Sequence, residues 1–194
     1  MTNPHPSERY SFINDKNPRE IVLLRGSGCK WRRCRFCNYH LDFSSDQAAN
    51  DALNLSVLSH VTGKSNVLEM INSGSFCDLS ETTLAEVIHV CKAHSIKRLH
   101  VECHWQDRAA IAPFRTRLAS HDIELRVKGG IETFDGDFRE RVFERICINL
   151  MIDNGTPVKR SENVVNLFMN KIYPSVKDNP RVDVLINNTD FGVG

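Results

Sequence analysis

The sequence lacks any long hydrophobic run. None of its stretches approaches the roughly 20 apolar residues that a membrane-spanning helix requires. The polar, proline-bearing start at residues 1–9 has no apolar segment of the kind found in signal peptides. Internal repeats and low-complexity segments are also absent from the sequence. We therefore expect a cytoplasmic protein with no membrane partner.

The sequence also lacks an excess of charge of either sign. Lysine and arginine number 25, and aspartate and glutamate number 24, so the formal net charge is +1. Bulk electrostatics therefore gives no reason to expect a nucleic-acid partner. Hydrophobic residues at 41% and charged residues at 25% are typical of a soluble globular protein. A chain of 194 residues is long enough for one well-formed core, which indicates one main domain.

A disulfide framework is absent as well. Four of the seven cysteines stand singly in apolar surroundings, at Cys77, Cys91, Cys103 and Cys147. Isolated cysteines of this kind are typical of a reducing compartment, and we expect them to be small buried hydrophobes. The other three cysteines fall within nine residues of one another, which sets them apart.

Short apolar runs alternate with helical periodicity along the chain. The spacing i, i+3, i+4 and i+7 of Leu84, Val87, Ile88 and Cys91 indicates an amphipathic helix. Alternation of strands and helices predicts a parallel sheet with right-handed crossovers. Five helical patterns separate six predicted strands, at residues 21–24, 67–71, 98–104, 123–128, 146–153 and 182–189.

The chain length limits how such a sheet closes. A complete barrel of eight strand–helix units takes about 250 residues. The 194 residues favour an α/β fold with fewer units, either a partial (β/α)6 TIM-like barrel with parallel strands or a doubly wound sheet. In both, ligands gather at the carboxyl ends of the strands. We expect an N-terminal arm at residues 1–20 and a partial-barrel domain at residues 21–194.

Two middle strands alternate between apolar and polar residues, whereas strands buried on both faces are apolar throughout. In the third predicted strand, Leu99 and Val101 alternate with His100, Glu102 and His104. The fourth, at residues 123–128, follows the same pattern. An open barrel with a polar lumen explains this alternation and favours the barrel over the doubly wound sheet. The alternatives are a solvated edge face or salt bridges between neighbouring strands.

Cys29, Cys34 and Cys37 follow directly after the first predicted strand. Thiolates are ligands for zinc and for iron–sulfur clusters. With His40 they make a Cys3His set for structural zinc, which suits a structural or nucleic-acid-binding module. The Cys-x4-Cys-x2-Cys spacing also occurs in plant-type [2Fe–2S] electron carriers, where Cys77 or a later cysteine would be the fourth ligand. A [4Fe–4S] cluster held by three cysteines, with one iron open, suits the mouth of a parallel sheet better.

The stretch Cys34-Arg35-Phe36-Cys37, in a loop after the first strand, resembles the radical S-adenosylmethionine (SAM) superfamily. The usual spacing there is Cys-x3-Cys-x-aromatic-Cys, and this chain has one residue more between Cys29 and Cys34. The resemblance implies a [4Fe–4S] cluster on the three cysteines, with SAM at the open iron. It also implies a 5′-deoxyadenosyl radical that abstracts hydrogen from a substrate, and an electron donor of the flavodoxin or ferredoxin type.

The resemblance further implies where SAM is bound. Members of the superfamily commonly carry a Gly-Gly-Glu-like turn after the second strand, and this chain has Asn72-Ser73-Gly74-Ser75 there, without the acid. Phe36 is then expected near the adenine, and Glu132, after the fourth predicted strand, near the ribose hydroxyls. The alternative for Glu132 is a carboxylate that favours a helix N-terminus.

A local basic patch lies between Glu20 and Asp42, where no acidic residue occurs. Arginine pairs well with phosphate or carboxylate, so the patch suits a phosphorylated substrate or an acidic electron donor. A solvated basic loop is the alternative. The patch consists of Arg25, Lys30, Arg32, Arg33 and Arg35.

Small size leaves little room for the accessory domains of superfamily members that act on polymers. We therefore expect a small, nucleotide-derived substrate. Among compact members, the chain is similar to the queuine lyases of queuosine salvage, which release queuine from a queuosine nucleotide. The candidate substrate-binding residues are Arg25, Glu102, His104, Arg126, Lys128, Asn149 and Asn187.

Overall fold

The computed structural model describes residues 6–15, 17–30, 32 and 39–128, together with 170, 171 and 174. Strands and helices alternate in this part of the chain after an initial pair of strands. The strands are β1 (Tyr10–Ile13), β2 (Arg19–Leu24), β3 (Val67–Asn72), β4 (Arg98–Glu102) and β5 (Glu124–Lys128). The helices are α1 (Gln47–Leu58), α2 (Glu81–Ala93) and α3 (Ile111–Ala119), with short 3-10 helices at Pro6–Arg9, Tyr39–Leu41, Phe76–Asp78 and Trp105–Ala110.

The five strands form one sheet in the order β1-β2-β3-β4-β5. Strands β2 to β5 are parallel neighbours, which confirms four of the six predicted strands and the predicted α/β class. The strands predicted at residues 146–153 and 182–189 lie outside the described residues, so closure into a (β/α)6 barrel stays a prediction. Within the described residues, no helix is long and apolar enough to cross a membrane.

Strand β1 was not predicted, because residues 1–20 were expected to be an arm. Tyr10–Ile13 instead pairs antiparallel with β2 and extends the sheet by one strand. The segment is fixed by side chains as well: the Arg9 guanidinium is fully buried, donates to the Leu23 carbonyl at 2.9 Å and pairs with Asp42 at 2.6 Å. All four residues of β1 are only half-buried, so no apolar alternation marks the strand in the sequence.

Two N-caps set where the first two helices begin. The Asp46 carboxylate accepts a hydrogen bond from the Ala49 amide at 3.0 Å and caps α1. The Ser80 hydroxyl accepts from the Thr83 amide at 2.9 Å and caps α2. Both helices then pack on one face of the sheet, over a core that includes Val22, Val57, Leu68, Met70, Val87, Leu99, Val101 and Leu118.

The other face of the sheet is different, and we call it the polar face. Register places Glu69 of β3 between Ile21 of β2 and His100 of β4, and His100 beside Arg126 of β5. Its apolar part is small, consisting of Ile21, Leu23 and Ile71. The polar face consists of Arg19, Ile21, Leu23, Val67, Glu69, Ile71, Arg98, His100, Glu102, Glu124, Arg126 and Lys128.

The predicted alternation is confirmed in β4, where Leu99 and Val101 are fully buried while His100 and Glu102 are half-buried. In β5 the pattern is weaker, because Val127 is exposed. Salt bridges between strands, the alternative interpretation, also occur: Arg98 pairs with Glu124 at 2.8 Å and Arg19 with Glu69 at 2.5 Å. The polar face therefore combines ion pairs between strands with half-buried polar groups.

Candidate active site

Three loops meet at the carboxyl edge of the sheet, because β2, β3 and β4 are parallel neighbours. The loop after β2 carries Cys29, the turn after β3 carries Gly74 and Ser75, and β4 leads into His104. The His104 amide donates to the Ser75 hydroxyl at 3.3 Å. A Cβ on Gly74 would lie 3.4 Å from the Cys29 Cα and 2.5 Å from Asp78 Oδ2. Glycine at 74 therefore leaves room for the Asp78 carboxylate, and the cysteine loop passes beside this turn.

The start of the cysteine loop is held in place by backbone and ring contacts. Gly28 has a positive φ of 92°, and a Cβ there would lie 2.8 Å from Phe43 Cβ. The Arg32 guanidinium lies 4.3 Å from the centroid of the Phe43 ring, and its Nε donates to the Cys29 carbonyl at 2.9 Å. Cys29 itself is a half-buried free thiol. This segment presents Cys29 at the edge of the sheet.

The other predicted cluster ligands lie outside the residues that the structure describes. Residues 33–38, which include Cys34, Phe36 and Cys37, are not among the described residues, and neither is the side chain of His40. Within the described ranges, no group of three histidine, cysteine or acidic side chains is placed to hold a metal ion. The three-cysteine cluster site, like the zinc alternative, therefore stays a prediction.

Lys30 ties the cysteine loop to the two neighbouring turns. Its ammonium lies 3.3 Å from Asp78 Oδ1 and 3.4 Å from Asp107 Oδ1. The nearby Asp78 carboxylate is the main reason that the pKa of Lys30 is raised, although partial burial opposes it. Asp78 is buried, and its other oxygen accepts from the Ser75 amide at 2.8 Å. The sequence analysis noted that the turn lacks an acid, and it missed that Asp78 brings a carboxylate there.

The turn after β3 contains two buried polar atoms that have no hydrogen-bond partner among the described residues. Asn72, Ser73 and Ser75 are all at most 3% exposed. The Asn72 amide donates to the Ser75 carbonyl at 3.0 Å, but within the described part of the chain Asn72 Oδ1 and Ser73 Oγ have no hydrogen-bond partner. Buried polar atoms are nearly always satisfied, so these two atoms are candidates for hydrogen bonds to a ligand. Both accept hydrogen bonds, which suits an ammonium group such as that of SAM.

Two thiols lie next to this turn. The Ser75 hydroxyl is 3.2 Å from Cys77 Sγ and 3.7 Å from Cys103 Sγ. Burial raises the pKa of Cys103, and burial raises the pKa of Cys91 to about 12. The prediction of buried cysteines is confirmed for Cys91 and Cys103, whereas Cys77 is half-buried and Cys147 lies outside the described residues.

The structure brings together three of the predicted substrate-binding residues on the polar face, namely Glu102, Arg126 and Lys128. His104 follows at the edge, beside Ser75. Arg25 does not join them, because its Nε donates to Asn50 Oδ1 on α1 at 2.8 Å. The predicted ligand-binding residues Glu132, Asn149 and Asn187 lie outside the described residues.

The sequence analysis missed the group of charges that organises the polar face. Glu69 is 1% exposed and pairs with both Arg19 and Lys128. Burial alone would raise the pKa of Glu69, but the two cations outweigh it and hold the pKa below its ordinary value. Burial, aided by Lys128, lowers the pKa of His100 to about 4, so this imidazole is neutral at physiological pH. The signal for this group was the single acid inside the apolar strand β3.

A parallel α/β sheet with a cysteine loop and a buried polar turn at its carboxyl edge is the arrangement expected of a SAM-dependent radical enzyme. The fold is similar to that of the queuine lyase from Clostridium spiroforme bound to SAM and queuine, with a TM-score of 0.75 and 30% sequence identity over 96% of this chain and 98% of that chain. No protein-family model and no curated protein matches the chain. The chain belongs to the radical SAM superfamily and, within it, to the family of this queuine lyase.

Proposed function

We propose that the chain is a queuine lyase that releases queuine from a queuosine nucleotide. The observation that carries this proposal is the likeness, over nearly the whole of both chains, to a queuine lyase bound to SAM and queuine. The buried turn at Asn72 and Ser73 supports the SAM part of the proposal, because it offers unpartnered acceptors within the described residues. The polar face supports a polar small-molecule substrate.

The residues divide into cofactor-holding and substrate-binding groups. Cys29, Cys34 and Cys37 would hold the [4Fe–4S] cluster, since thiolates are its usual ligands. When bound, the reduced cluster and SAM supply a 5′-deoxyadenosyl radical, which removes a hydrogen atom from the substrate. Asn72 Oδ1 and Ser73 Oγ would accept hydrogen bonds from the SAM ammonium, and the Glu132 carboxylate would accept from the ribose hydroxyls.

The substrate would lie against the polar face, between its ion pairs and the carboxyl edge. Glu102 and Lys128 come from adjacent strands in register, so both reach the same part of that face. Arg126, Asn149 and Asn187 complete the proposed set. The exposed Arg32, with Arg33 and Arg35, would dock an acidic electron donor of the flavodoxin or ferredoxin type, because opposite charges favour encounter.

The test compares two cysteine variants of anaerobically reconstituted protein. Wild type, reduced with dithionite, should show a [4Fe–4S] electron paramagnetic resonance signal that changes on addition of SAM. With queuosine 5′-phosphate it should produce 5′-deoxyadenosine and queuine. C29A should lose the signal and both products, because a cluster ligand is gone. C91A is the matched control, since Cys91 is buried in α2 away from the cysteine loop. It should keep the signal and form both products.

Two results would contradict the proposal at different levels. Iron-free protein that contains zinc and binds RNA in a salt-dependent way would favour the Cys3His module. Formation of 5′-deoxyadenosine without any queuine release from queuosine, queuosine 5′-phosphate or related nucleotides would leave a radical SAM enzyme with another substrate.

A further inference from the structure

His100 lies at the centre of the polar face and has an unusual environment. Register places it between Glu69 of β3 and Arg126 of β5. Its Nε2 is buried and, among the residues described by the structure, has no hydrogen-bond partner. A buried polar atom without a partner is costly and is rarely left so in a finished protein. A ligand that hydrogen-bonds to Nε2 would remove this cost.

The charges around His100 decide what kind of ligand fits. Glu69 is paired with Arg19 on one side and with Lys128 on the other, so both cations are already neutralised in part. The imidazole is neutral, because burial and Lys128 lower its pKa to about 4. A phosphate dianion would have to compete with the Glu69 carboxylate for both cations, so the group suits a neutral ligand better. A neutral nucleobase fits better. Its ring nitrogens and carbonyl can form hydrogen bonds with the neutral His100 imidazole and with the Lys128 ammonium, which is paired with Glu69.

The position of His100 and its charged neighbours also fits a substrate that extends from the cofactor. His100 and Glu102 alternate along β4, and His104 follows two residues beyond the strand at the carboxyl edge, where its amide donates to the Ser75 hydroxyl. Four residues of extended chain span about 13 Å. That length suits a nucleoside whose sugar lies near the edge and whose base lies deeper on the polar face. Lys128 is the half-exposed member of the group, so the ligand approaches from its side.

We propose that His100 determines substrate specificity by binding the nucleobase through Nε2, while Glu69, held by Arg19, positions Lys128 beside the same base. This inference rests on the proposed function, since it names where on the polar face the base of the queuosine nucleotide binds. The sugar and phosphate then lie toward the carboxyl edge. In this arrangement His100 contacts the base and is not part of the radical chemistry.

The test measures queuine affinity by isothermal titration calorimetry on reconstituted, SAM-loaded enzyme. H100F removes the hydrogen-bonding nitrogen and should weaken queuine binding about tenfold, the effect of one buried hydrogen bond lost. H100Q keeps a side-chain amide at a similar distance from the backbone and should restore affinity to within about threefold of wild type. H121Q is the control, because His121 is exposed beyond α3, and its affinity should equal that of wild type.

A second variant and a second readout separate the outcomes. Should H100F fail to fold, H100A removes the same nitrogen without adding volume. The KM for queuosine 5′-phosphate should rise in parallel with the dissociation constant for queuine. If wild type binds queuine and H100F and H100A bind it equally well, or if H100Q binds as weakly as H100F, the assignment of His100 is wrong and the proposed function stands. If wild type neither binds queuine nor releases it from queuosine 5′-phosphate, both are wrong. If it releases queuine without measurable binding, the KM values of the variants decide by the same criterion.

Discussion

The two faces of the sheet differ in composition: one is apolar and packs against the helices, and the other is polar. On the helix side, Leu99 and Val101 of β4 are fully buried among aliphatic side chains. On the opposite side, one residue away in sequence, His100 and Glu102 are only half-buried and lie among charged groups. The apolar face stabilises the fold because its aliphatic side chains are removed from water. The polar face contains the buried Glu69 carboxylate and, among the described residues, the unpartnered Nε2 of His100, a cost that the proposed substrate binding would explain.

The largest difference between the faces should appear in stability. L99A removes a fully buried side chain from the apolar face, and it should lower the free energy of unfolding by about 2–5 kcal/mol. SAM cleavage per folded molecule should stay close to that of wild type, because Leu99 is buried on the helix side of the sheet, opposite the polar face. Urea unfolding and 5′-deoxyadenosine formation measure the two quantities. A variant as stable as wild type would mean that the apolar face is not the main source of stability.

On the polar face, E69Q should affect both stability and binding. The substitution leaves the buried Arg19 guanidinium without its carboxylate and should cost about 3 kcal/mol of unfolding free energy. Queuine affinity should also fall, since Lys128 loses the group that positions it. D122N is the control, because Asp122 forms an exposed ion pair with Lys97 away from the polar face. An E69Q protein that binds queuine normally would assign Glu69 a purely structural role.

The faces should also differ in their response to pH. Burial lowers the pKa of His100 to about 4 in the folded protein, against about 6.5 for histidine in an unfolded chain. Between these values the unfolded state binds more protons, so stability should fall as the pH drops from 6.5 to 4. H100Q should reduce the pH dependence of the free energy of unfolding between pH 4 and 6.5, whereas H121Q should not. Equal pH profiles for wild type and H100Q would show that His100 is not held neutral by the fold.

The smallest expected stability change is at the carboxyl edge. The Lys30 side chain is 65% exposed, so K30M should hardly change the midpoint of unfolding. SAM cleavage should nevertheless fall severalfold, because Lys30 links the cysteine loop to Asp78 and Asp107. K97M is the matched control, since Lys97 forms an exposed ion pair with Asp122 away from this edge. Unchanged SAM cleavage in K30M would mean that the loop is positioned without this link.

Several features could be predicted from local patterns alone. Four parallel strands follow from short apolar runs, and the alternation in β4 identified the polar face correctly. The approach of Cys29 to the turn at Gly74 agrees with the expectation that ligands gather at the carboxyl ends of parallel strands. Strand β1 was missed because its four half-buried residues carry no periodic signal. Arg25 was predicted to bind substrate from its charge, and the structure shows its guanidinium bonded to Asn50 on α1.

The sequence by itself determined the class of fold and which residues follow the strands at the carboxyl edge of the sheet, because strand periodicity and residue order are local properties. Only the tertiary structure decided which charges meet. Glu69 joins Arg19 and Lys128, residues 50 and 59 positions away in sequence, and Lys30 reaches Asp107, 77 positions away. Such pairings depend on strand order and register, which place distant residues side by side. For the same reason, the neutral state of His100 could be recognised only after its neighbours were known.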